Sequence, residues 1–416
     1  MKTKTKIMVL ADNPLAPSGI GTQTKYMIEG LLATGRYSFV CFGGAIKHRN
    51  YDPIKFEEFG DDWVIYPVDG YGTEEIVRTA LRQHRPDILW FMTDPRFWEW
   101  LWSIENEIRP MVPMIYYHVW DNYPYPTFNK VFYDSNDLVA TISKVTDDIV
   151  RTVSPKMDVV HIPHTVDTET FKNYEEPEYI EIAPEGFSED KFVCFWNNRN
   201  ARRKQSGSLI FWFKEFLDIV GHDKAMLIMH TEPKDPNGQD LYAIARELNL
   251  EPEQFLLSVQ KLHPRDLAYL YNLADCTINI ADAEGFGLAT LESLACETPI
   301  LVNMTGGLQE QVTNGEEFFG VGIEPSSKAI IGSQEVPWIY EDRCSKEDFI
   351  DALVKIYEMS PAEREKLGAR GRDHVLNNYS MEKYVTLWDK TLTRVVDQYG
   401  SWNNRKNYKS WKLRKF

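Results

Sequence analysis

Two glutamates eight residues apart flank a glycine-rich turn in the second half of the chain. Glu284 and Glu292 follow the apolar run that ends at Ile280. The residues between them begin with Gly285, Phe286, Gly287, Leu288 and Ala289. Such glycines let a ligand approach the backbone, and the free amides of a helix start favour an anion, most naturally phosphate. The spacing places both carboxylates where they can face one ligand.

The rest of the chain alternates short apolar runs with segments of helical period. Strands separated by helices, with few polar positions, are typical of parallel sheets covered on both faces. The sequence therefore predicts an α/β protein with two doubly wound domains. The predicted strands are Lys6–Ala11, Ser38–Phe42, Asp87–Met92, Met114–His118, Leu138–Ile142, Val159–Ile162, Phe192–Trp196, Ala225–His230, Phe255–Ser258, Cys276–Ile280 and Pro299–Asn303.

The two domains meet near residues 175–190, where an acidic, proline-containing stretch lacks apolar periodicity. We expect one domain over 1–175 and a second over 190–385. Residues 386–416 are predicted to form a terminal helix and a basic tail.

Net charge, the length of apolar runs and the cysteine pattern exclude several classes of function. The 416 residues carry a net charge of −16, which argues against adhesion of the whole surface to nucleic acid or anionic lipid. Apolar runs are far shorter than the roughly 20 residues of a membrane span. The five cysteines are scattered and never form a Cys-x-x-Cys pair, which indicates a reducing, cytoplasmic setting.

The string from Glu284 to Glu292 resembles the nucleotide-sugar site of group 1 glycosyltransferases, the retaining family 4. That family's motif is Glu, seven residues, Glu, with the first Glu opening Glu-Gly-Phe-Gly-Leu. The resemblance implies the GT-B arrangement, which is two Rossmann-like domains facing a cleft, with the C-terminal helix returning to the first domain.

The resemblance also implies roles for individual residues. Arg199 and Lys204 follow the strand Phe192–Trp196, as do the arginine and lysine that hold the donor diphosphate in the family. Glu292 would hold the ribose hydroxyls and Glu284 the sugar hydroxyls. The residues Gly285, Phe286, Gly287, Leu288 and Ala289 would complete the donor site. Four basic residues lie within residues 199–204, and we call Arg199, Arg202, Arg203 and Lys204 the basic run. A solvated helix start is the alternative interpretation of the basic run.

In the first domain, the segment with Gly19 and Gly21 resembles the family's glycine loop, which faces donor and acceptor across the cleft. His118 resembles a histidine near the hydroxyls of the transferred sugar, although a lone histidine is more often an ordinary core residue. The chain departs from the family at Asn198, Gln205 and Glu297, where glycine is usual.

The implied activity is transfer of a sugar from a nucleoside diphosphate sugar, such as a UDP- or GDP-sugar, with retention at the anomeric carbon. The donor is a substrate, and no cofactor is expected. No Asp-x-Asp motif and no metal-ligand spacing occur, so we expect no metal.

The acceptor stays open. A saccharide or lipid-linked glycan is the family's commonest acceptor, and a hydroxymethylated base in DNA is the alternative. The tail could contact DNA or anionic lipid peripherally through Arg405, Lys406, Lys409, Lys412, Arg414 and Lys415. A solvated terminus is the default interpretation of such an end.

The first domain is rich in aromatic residues that could stack on an acceptor, although core packing accounts for most of them. A further alternative is an inactive sugar-nucleotide-binding or glycan-binding subunit on the same fold, which the presence of both glutamates and both cations disfavours.

Overall fold

The computed structural model describes residues 4–175, 183, 187–188 and 190–408. The chain divides into two compact units. The first holds the described residues up to Thr165, those from Met381 onward, and Gln334–Pro337. The second holds the described residues of Val166–Ser333 and Trp338–Ser380. Most of the joint predicted at 175–190 lies outside the described residues.

A parallel sheet forms the centre of the first unit. Its strands are β1 (Thr5–Asp12), β2 (Tyr37–Gly44), β3 (Ile54–Phe56), β4 (Gly60–Pro67), β5 (Ile88–Met92), β6 (Met114–His118), β7 (Leu138–Thr141) and β8 (Val159–His161). Their order is β3-β4-β2-β1-β5-β6-β7-β8, and only the β3–β4 pair is antiparallel. Strands β2, β5, β6 and β7 are buried along their whole length, as their apolar sequences require.

Helices connect these strands. They are α1 (Gly19–Ala33), α2 (Glu74–His84), α3 (Glu99–Ser103), α4 (Glu105–Ile108), α5 (Lys130–Asp134) and α6 (Lys144–Val153). The face of α1 predicted from helical spacing, which contains Met27, Ile28, Leu31 and Leu32, is buried.

The second unit has its own parallel sheet, with strand order β11-β10-β9-β12-β13-β14. The strands are β9 (Phe192–Asn197), β10 (Ala225–His230), β11 (Phe255–Ser258), β12 (Cys276–Asn279), β13 (Ile300–Asn303) and β14 (Gly320–Ile323). An antiparallel hairpin follows, formed by β15 (Ser327–Ile331) and β16 (Ile339–Arg343). The helices are α7 (Ser206–Val220), α8 (Leu241–Glu247), α9 (Pro264–Leu273), α10 (Leu288–Ala295), α11 (Leu308–Val312), α12 (Lys346–Tyr357) and α13 (Pro361–Asn378).

The long helix α14 (Met381–Tyr399) belongs to the first unit and packs against α1. Gly30 lies so close to Val385 that an added Cβ would be 2.2 Å from its Cγ2. The Tyr37 hydroxyl donates to an Asp389 carboxylate oxygen at 2.6 Å, and Trp388 is fully buried.

The α/β class and the parallel sheets are confirmed. Every strand predicted from an apolar run occurs, with its ends within two residues. Sequence reasoning missed β3, β4, β14 and the hairpin. β3 has only three residues, β4 has two aspartates after its first glycine, β14 contains two glycines and the hairpin strands are partly exposed, so none forms a long apolar run.

Candidate functional site

The glycine turn between β12 and α10 ends in a helix start without a side-chain cap. Gly287 precedes the helix with φ of 90°, a left-handed conformation that glycine adopts without strain. Because the cap residue is glycine, it has no side chain that could accept from the first amides of α10. The first N–H groups of a helix also lack partners within the helix, so an uncapped start can bind a ligand.

The segment after β13 sets the shape of this turn. The Gly307 N–H donates to the Glu284 carbonyl at 3.1 Å, and a Cβ at Gly307 would lie 2.6 Å from the Phe286 Cα. The Gln311 amide donates to the carbonyls of Phe286 and Gly287 at 2.7 and 3.1 Å. The turn is thus fixed by its neighbours in the folded unit.

A buried ion pair joins the basic run to this turn. Lys204 Nζ donates to Glu284 Oε2, and both side chains are nearly buried. Asn279 Nδ2 donates to the same oxygen at 3.2 Å. Burial alone would raise the pKa of Glu284, but the charges of Lys204 and Arg203 lower it below its ordinary value. Glu284 is therefore a carboxylate at neutral pH.

Arg203 is the second cation that the structure brings to the turn. Its guanidinium donates to the Ala283 carbonyl, and its own carbonyl accepts from the Asp282 N–H at 2.8 Å. Arg203 lies in a single 3₁₀ turn, Arg202–Lys204, directly before α7.

Arg199 differs from its predicted place. Its guanidinium forms two hydrogen bonds to Asp235, at 2.6 and 3.1 Å, and its side chain is largely exposed. This donation by Arg199 lowers the pKa of Asp235 to about 2. The predicted cation pair is therefore split in this structure: Lys204 contacts the turn, and Arg199 contacts the Asp235 carboxylate.

Glu292 lies in α10, on the other side of the turn from Glu284. The Tyr271 hydroxyl donates to Glu292 Oε2 at 2.8 Å and accepts from Asn197 Nδ2 at 2.9 Å. Burial raises the pKa of Glu292 to about 7, although the bond from Tyr271 acts in the opposite direction. Glu292 therefore changes charge near neutral pH.

Sequence reasoning assigned no role to Arg203, Tyr271 or Asn279. The useful signal for Asn279 was its position, because a polar residue at the carboxyl end of a parallel strand faces the ligand edge of the sheet. Arg203 lies within the same basic run as Lys204, and the sequence does not distinguish their contacts. In the folded turn, Arg203 donates to the Ala283 carbonyl and Lys204 donates to Glu284.

The glycine loop of the first unit has a different local structure. Ser18 caps α1 by accepting from the Gly21 N–H at 3.0 Å. Ser18 in turn donates to Asp12, which also accepts from the Tyr71 hydroxyl at 2.9 Å. A Cβ at Gly21 would lie 2.8 Å from two backbone carbonyl oxygens, so close packing explains this glycine. Gly19 is exposed, and its predicted ligand contact stays a prediction.

His118 is a buried core residue here, which differs from its predicted position near a sugar. It ends β6 as predicted, but Tyr116 and Tyr133 hydroxyls occupy its two ring nitrogens at 3.0 and 2.8 Å. Because Tyr116 donates to the Thr93 carbonyl, it accepts from Nδ1. Burial lowers the pKa of His118 to about 3, so the ring is neutral. It has no solvent-exposed surface with which to contact a ligand.

The basic tail is only partly within the described residues, since Lys409, Lys412, Arg414 and Lys415 lie outside them. Arg405 does not act as a free tail cation. Its buried guanidinium donates to Asp137 at 2.7 Å and to the Arg109 carbonyl at 2.7 Å. Lys406 is exposed.

Among the described residues, no group of three or more His, Cys, Asp or Glu side chains is arranged to hold a metal ion. The described helices include none that is both long and apolar enough to cross a bilayer.

Residues 189–374 match the family model of glycosyl transferases group 1. Among curated relatives, D-inositol 3-phosphate glycosyltransferase of Thermomonospora curvata is 31% identical over 134 residues, which is 32% of this chain and 24% of the relative. N-acetyl-alpha-D-glucosaminyl L-malate synthase of Bacillus anthracis is 20% identical over 264 residues, or 63% of this chain and 61% of the relative. The matches thus span less than two thirds of either relative.

Solved structures are similar over nearly the whole chain. Sucrose-phosphate synthase from Thermosynechococcus elongatus has a TM-score of 0.76 at 16% identity, covering 95% of this chain and 100% of that one. Anabaena Alr3699/HepE in complex with UDP and glucose has a TM-score of 0.67 at 14% identity, covering 94% and 99%. These likenesses show the GT-B fold.

Proposed function

We infer from the group 1 glycosyltransferase domain of the second unit that this protein transfers a sugar from a nucleoside diphosphate sugar to an acceptor hydroxyl. The observation that carries this proposal is the buried Lys204–Glu284 pair beside the uncapped start of α10. It places a fixed cation, a carboxylate and free backbone amides at one turn.

We propose that the donor diphosphate lies at the start of α10. The amides of Leu288 and Ala289 would donate to phosphate oxygens, with the helix dipole adding to the attraction. The Lys204 ammonium has three donors, so it can keep Glu284 and still reach a phosphate. Arg203 adds a second positive charge next to the turn.

Arg199 is retained in the proposal as a secondary cation. Its side chain is largely exposed, although that of Asp235 is nearly buried. The exposed guanidinium can therefore also meet a phosphate, with which it forms charge-assisted hydrogen bonds.

The proposed reaction retains configuration and uses no nucleophile from the protein. The bond from the anomeric carbon to the phosphate oxygen breaks, and the acceptor oxygen forms its bond to that carbon on the same face. The acceptor proton passes to the leaving phosphate oxygen. Charge that develops on the diphosphate is stabilised by Lys204 and the helix amides, which are already in place.

The two glutamates would hold hydroxyl groups. Glu284 is ionised and held by Lys204 and Asn279, which suits it to accept hydrogen bonds from the sugar. Glu292 would accept from the ribose. Both are positioning groups in this proposal, and neither acts as a general acid or base.

We propose a saccharide or related polyol as acceptor. The names of two relatives contain D-inositol 3-phosphate and L-malate, and one structural neighbour is a sucrose-phosphate synthase. The burial of Arg405 removes one of the six basic residues that the DNA alternative required.

The test is incubation of the protein with UDP- and GDP-sugars and a panel of sugar, inositol and hydroxymethylated-DNA acceptors, followed by mass spectrometry. We expect a hexosyl or pentosyl mass increase on a polyol acceptor, and NMR should show the donor's anomeric configuration in the product. Absence of both transfer and donor hydrolysis with every donor would contradict the proposal, and transfer only to DNA would contradict the proposed acceptor.

A further inference from the structure

The β15–β16 hairpin is anchored at the carboxyl ends of two strands of the parallel sheet. The Asp342 N–H donates to the Asp282 carbonyl at 2.8 Å, just beyond β12. The Asp342 carbonyl accepts from Asn303 Nδ2 at 2.6 Å, and its carboxylate accepts from the Thr305 hydroxyl at 2.7 Å, both at the end of β13. β16 is therefore fixed beside the edge where the glycine turn lies.

The neighbouring residue of β16 reaches the basic run. Glu341 is almost fully buried, and both of its carboxylate oxygens accept from the Arg202 guanidinium, one of them at 3.0 Å. Arg343 donates to Oε2 at 2.5 Å. Burial alone would raise the pKa of Glu341, but the two arginines lower it. The carboxylate is thus a permanent anchor for Arg202.

The turn that carries Lys204 is consequently held from two sides. On one side, Asp282 donates its N–H to the Arg203 carbonyl and accepts from Gln205 Nε2 at 2.6 Å. On the other side, Glu341 holds Arg202. Arg202, Arg203 and Lys204 form one 3₁₀ turn, so a shift of the first residue displaces the other two.

We propose that Glu341 is a positioning residue for the donor phosphates, acting through Arg202 to keep Arg203 and Lys204 at the glycine turn. The inference rests on the proposed function, because it assigns the hairpin a role in that site. Glu341 itself contacts no substrate in this account. Its effect arises from geometry, since a cation displaced by about 1 Å can cost up to about 100-fold in rate.

The test compares Arg202→Ala, Glu341→Gln and the double variant. Each single variant should raise the donor KM, and the Kd for UDP measured by calorimetry, about tenfold. The acceptor KM should stay near its wild-type value, whereas kcat at saturating donor should fall, because Lys204 also stabilises the charge that develops on the diphosphate. The double variant should resemble either single variant, because both changes break the same link.

We expect the Arg202→Ala variant to fold, because the buried Glu341 carboxylate keeps its hydrogen bond from Arg343. Lys328→Ala is the matched control: Lys328 lies on the same hairpin, its side chain is exposed and its ammonium is 3.6 Å from Asp342. Its loss should leave the donor KM unchanged, because Asp342 keeps its hydrogen bonds to Asn303 and Thr305. A purely structural role would lower thermal stability without moving the donor KM.

A folded Arg202→Ala protein with wild-type donor KM would overturn the inference while leaving the proposed function standing. Additive effects in the double variant would also overturn it. A wild-type protein that neither binds UDP or GDP nor turns over any donor would overturn the proposed function and this inference together.

Discussion

Each unit contains a strand, a glycine loop and a helix in succession, but the two junctions differ in what completes the helix start. In the first unit, Ser18 caps α1 and the buried carboxylate of Asp12 lies behind it. In the second unit, Gly287 leaves α10 uncapped, and Lys204 lies beside the turn. The first junction is completed by the protein's own oxygens, and the second presents amides next to a positive charge.

Glycines after a strand therefore do not by themselves identify an anion site. An internal cap and a carboxylate without a neighbouring cation disfavour phosphate, whereas uncapped amides and a cation favour it. We therefore expect the diphosphate at α10, with the loop of the first unit serving other contacts.

The largest expected effect comes from removing the cation at the second junction. Lys204→Gln should reduce kcat/KM for the donor about 100-fold or more, because the developing phosphate charge loses its fixed partner. Arg199→Ala, whose side chain pairs with Asp235, should cost about tenfold or less. Steady-state kinetics at varied donor concentration measure both.

Lys214→Ala serves as the control, since Lys214 pairs with Asp218 on the surface of α7. If Arg199→Ala lowered kcat/KM for the donor as much as Lys204→Gln or more, the proposal that Lys204 is the main cation would be wrong.

A smaller effect should appear in the pH dependence that Glu292 imposes. With its pKa near 7, Glu292 is protonated at pH 6 and accepts ribose hydroxyls poorly, so kcat/KM for the donor should rise between pH 6 and 8. Glu292→Gln should lose this rise while keeping the acceptor for Tyr271. If kcat/KM rises between pH 6 and 8 in Glu292→Gln as it does in wild type, a group other than Glu292 causes the rise.

The same residue makes a prediction for stability. The pKa of Glu292 is about 7 in the folded state against an ordinary 4.5, so the folded state binds this proton more tightly than the unfolded chain does. The stability contributed by Glu292 is present below pH 4.5 and is lost as pH rises to about 7. Glu292→Gln should therefore gain about 3 kcal/mol relative to wild type over that range, measured by urea unfolding.

The smallest effect is expected at the first junction. Ser18→Ala removes the cap of α1 and should lower the free energy of unfolding by about 1 kcal/mol. Donor KM should not change, because this helix start binds no phosphate in our account. If Ser18→Ala lowered kcat/KM for the donor as strongly as Lys204→Gln, the two junctions would not differ in phosphate binding.

The glycine turn could be predicted from the sequence because its determinants are local. Glu284, Gly287 and Glu292 lie within nine residues, and strand, turn and helix follow from apolar runs and glycines. The same locality explains why the predicted strand ends lie so near those observed.

The remaining features depend on residues far apart in the chain. His118 is enclosed by Tyr116 and Tyr133, and a lone histidine at a strand end gives no signal of that enclosure. The directions of Arg199 and Lys204 are set by Asp235 and Glu284, which no spacing rule connects to them.

The departures from the family's glycines have a local explanation that only the backbone reveals. Gln205 and Glu297 have φ values of 57° and 63°, in the left-handed region where glycine is favoured. Gln205 offsets the strain with its bond to Asp282, and Glu297 contacts Asn173. Asn198 has no such conformation. The loop shape that the glycines would favour is therefore kept without them at two of the three positions.

A crystal structure with UDP tests the central claim most directly. We predict that the diphosphate oxygens lie within hydrogen-bond distance of the Leu288 and Ala289 amides and of Lys204 Nζ. A diphosphate bound against the Gly19–Gly21 loop, with the start of α10 free of phosphate, would contradict the account.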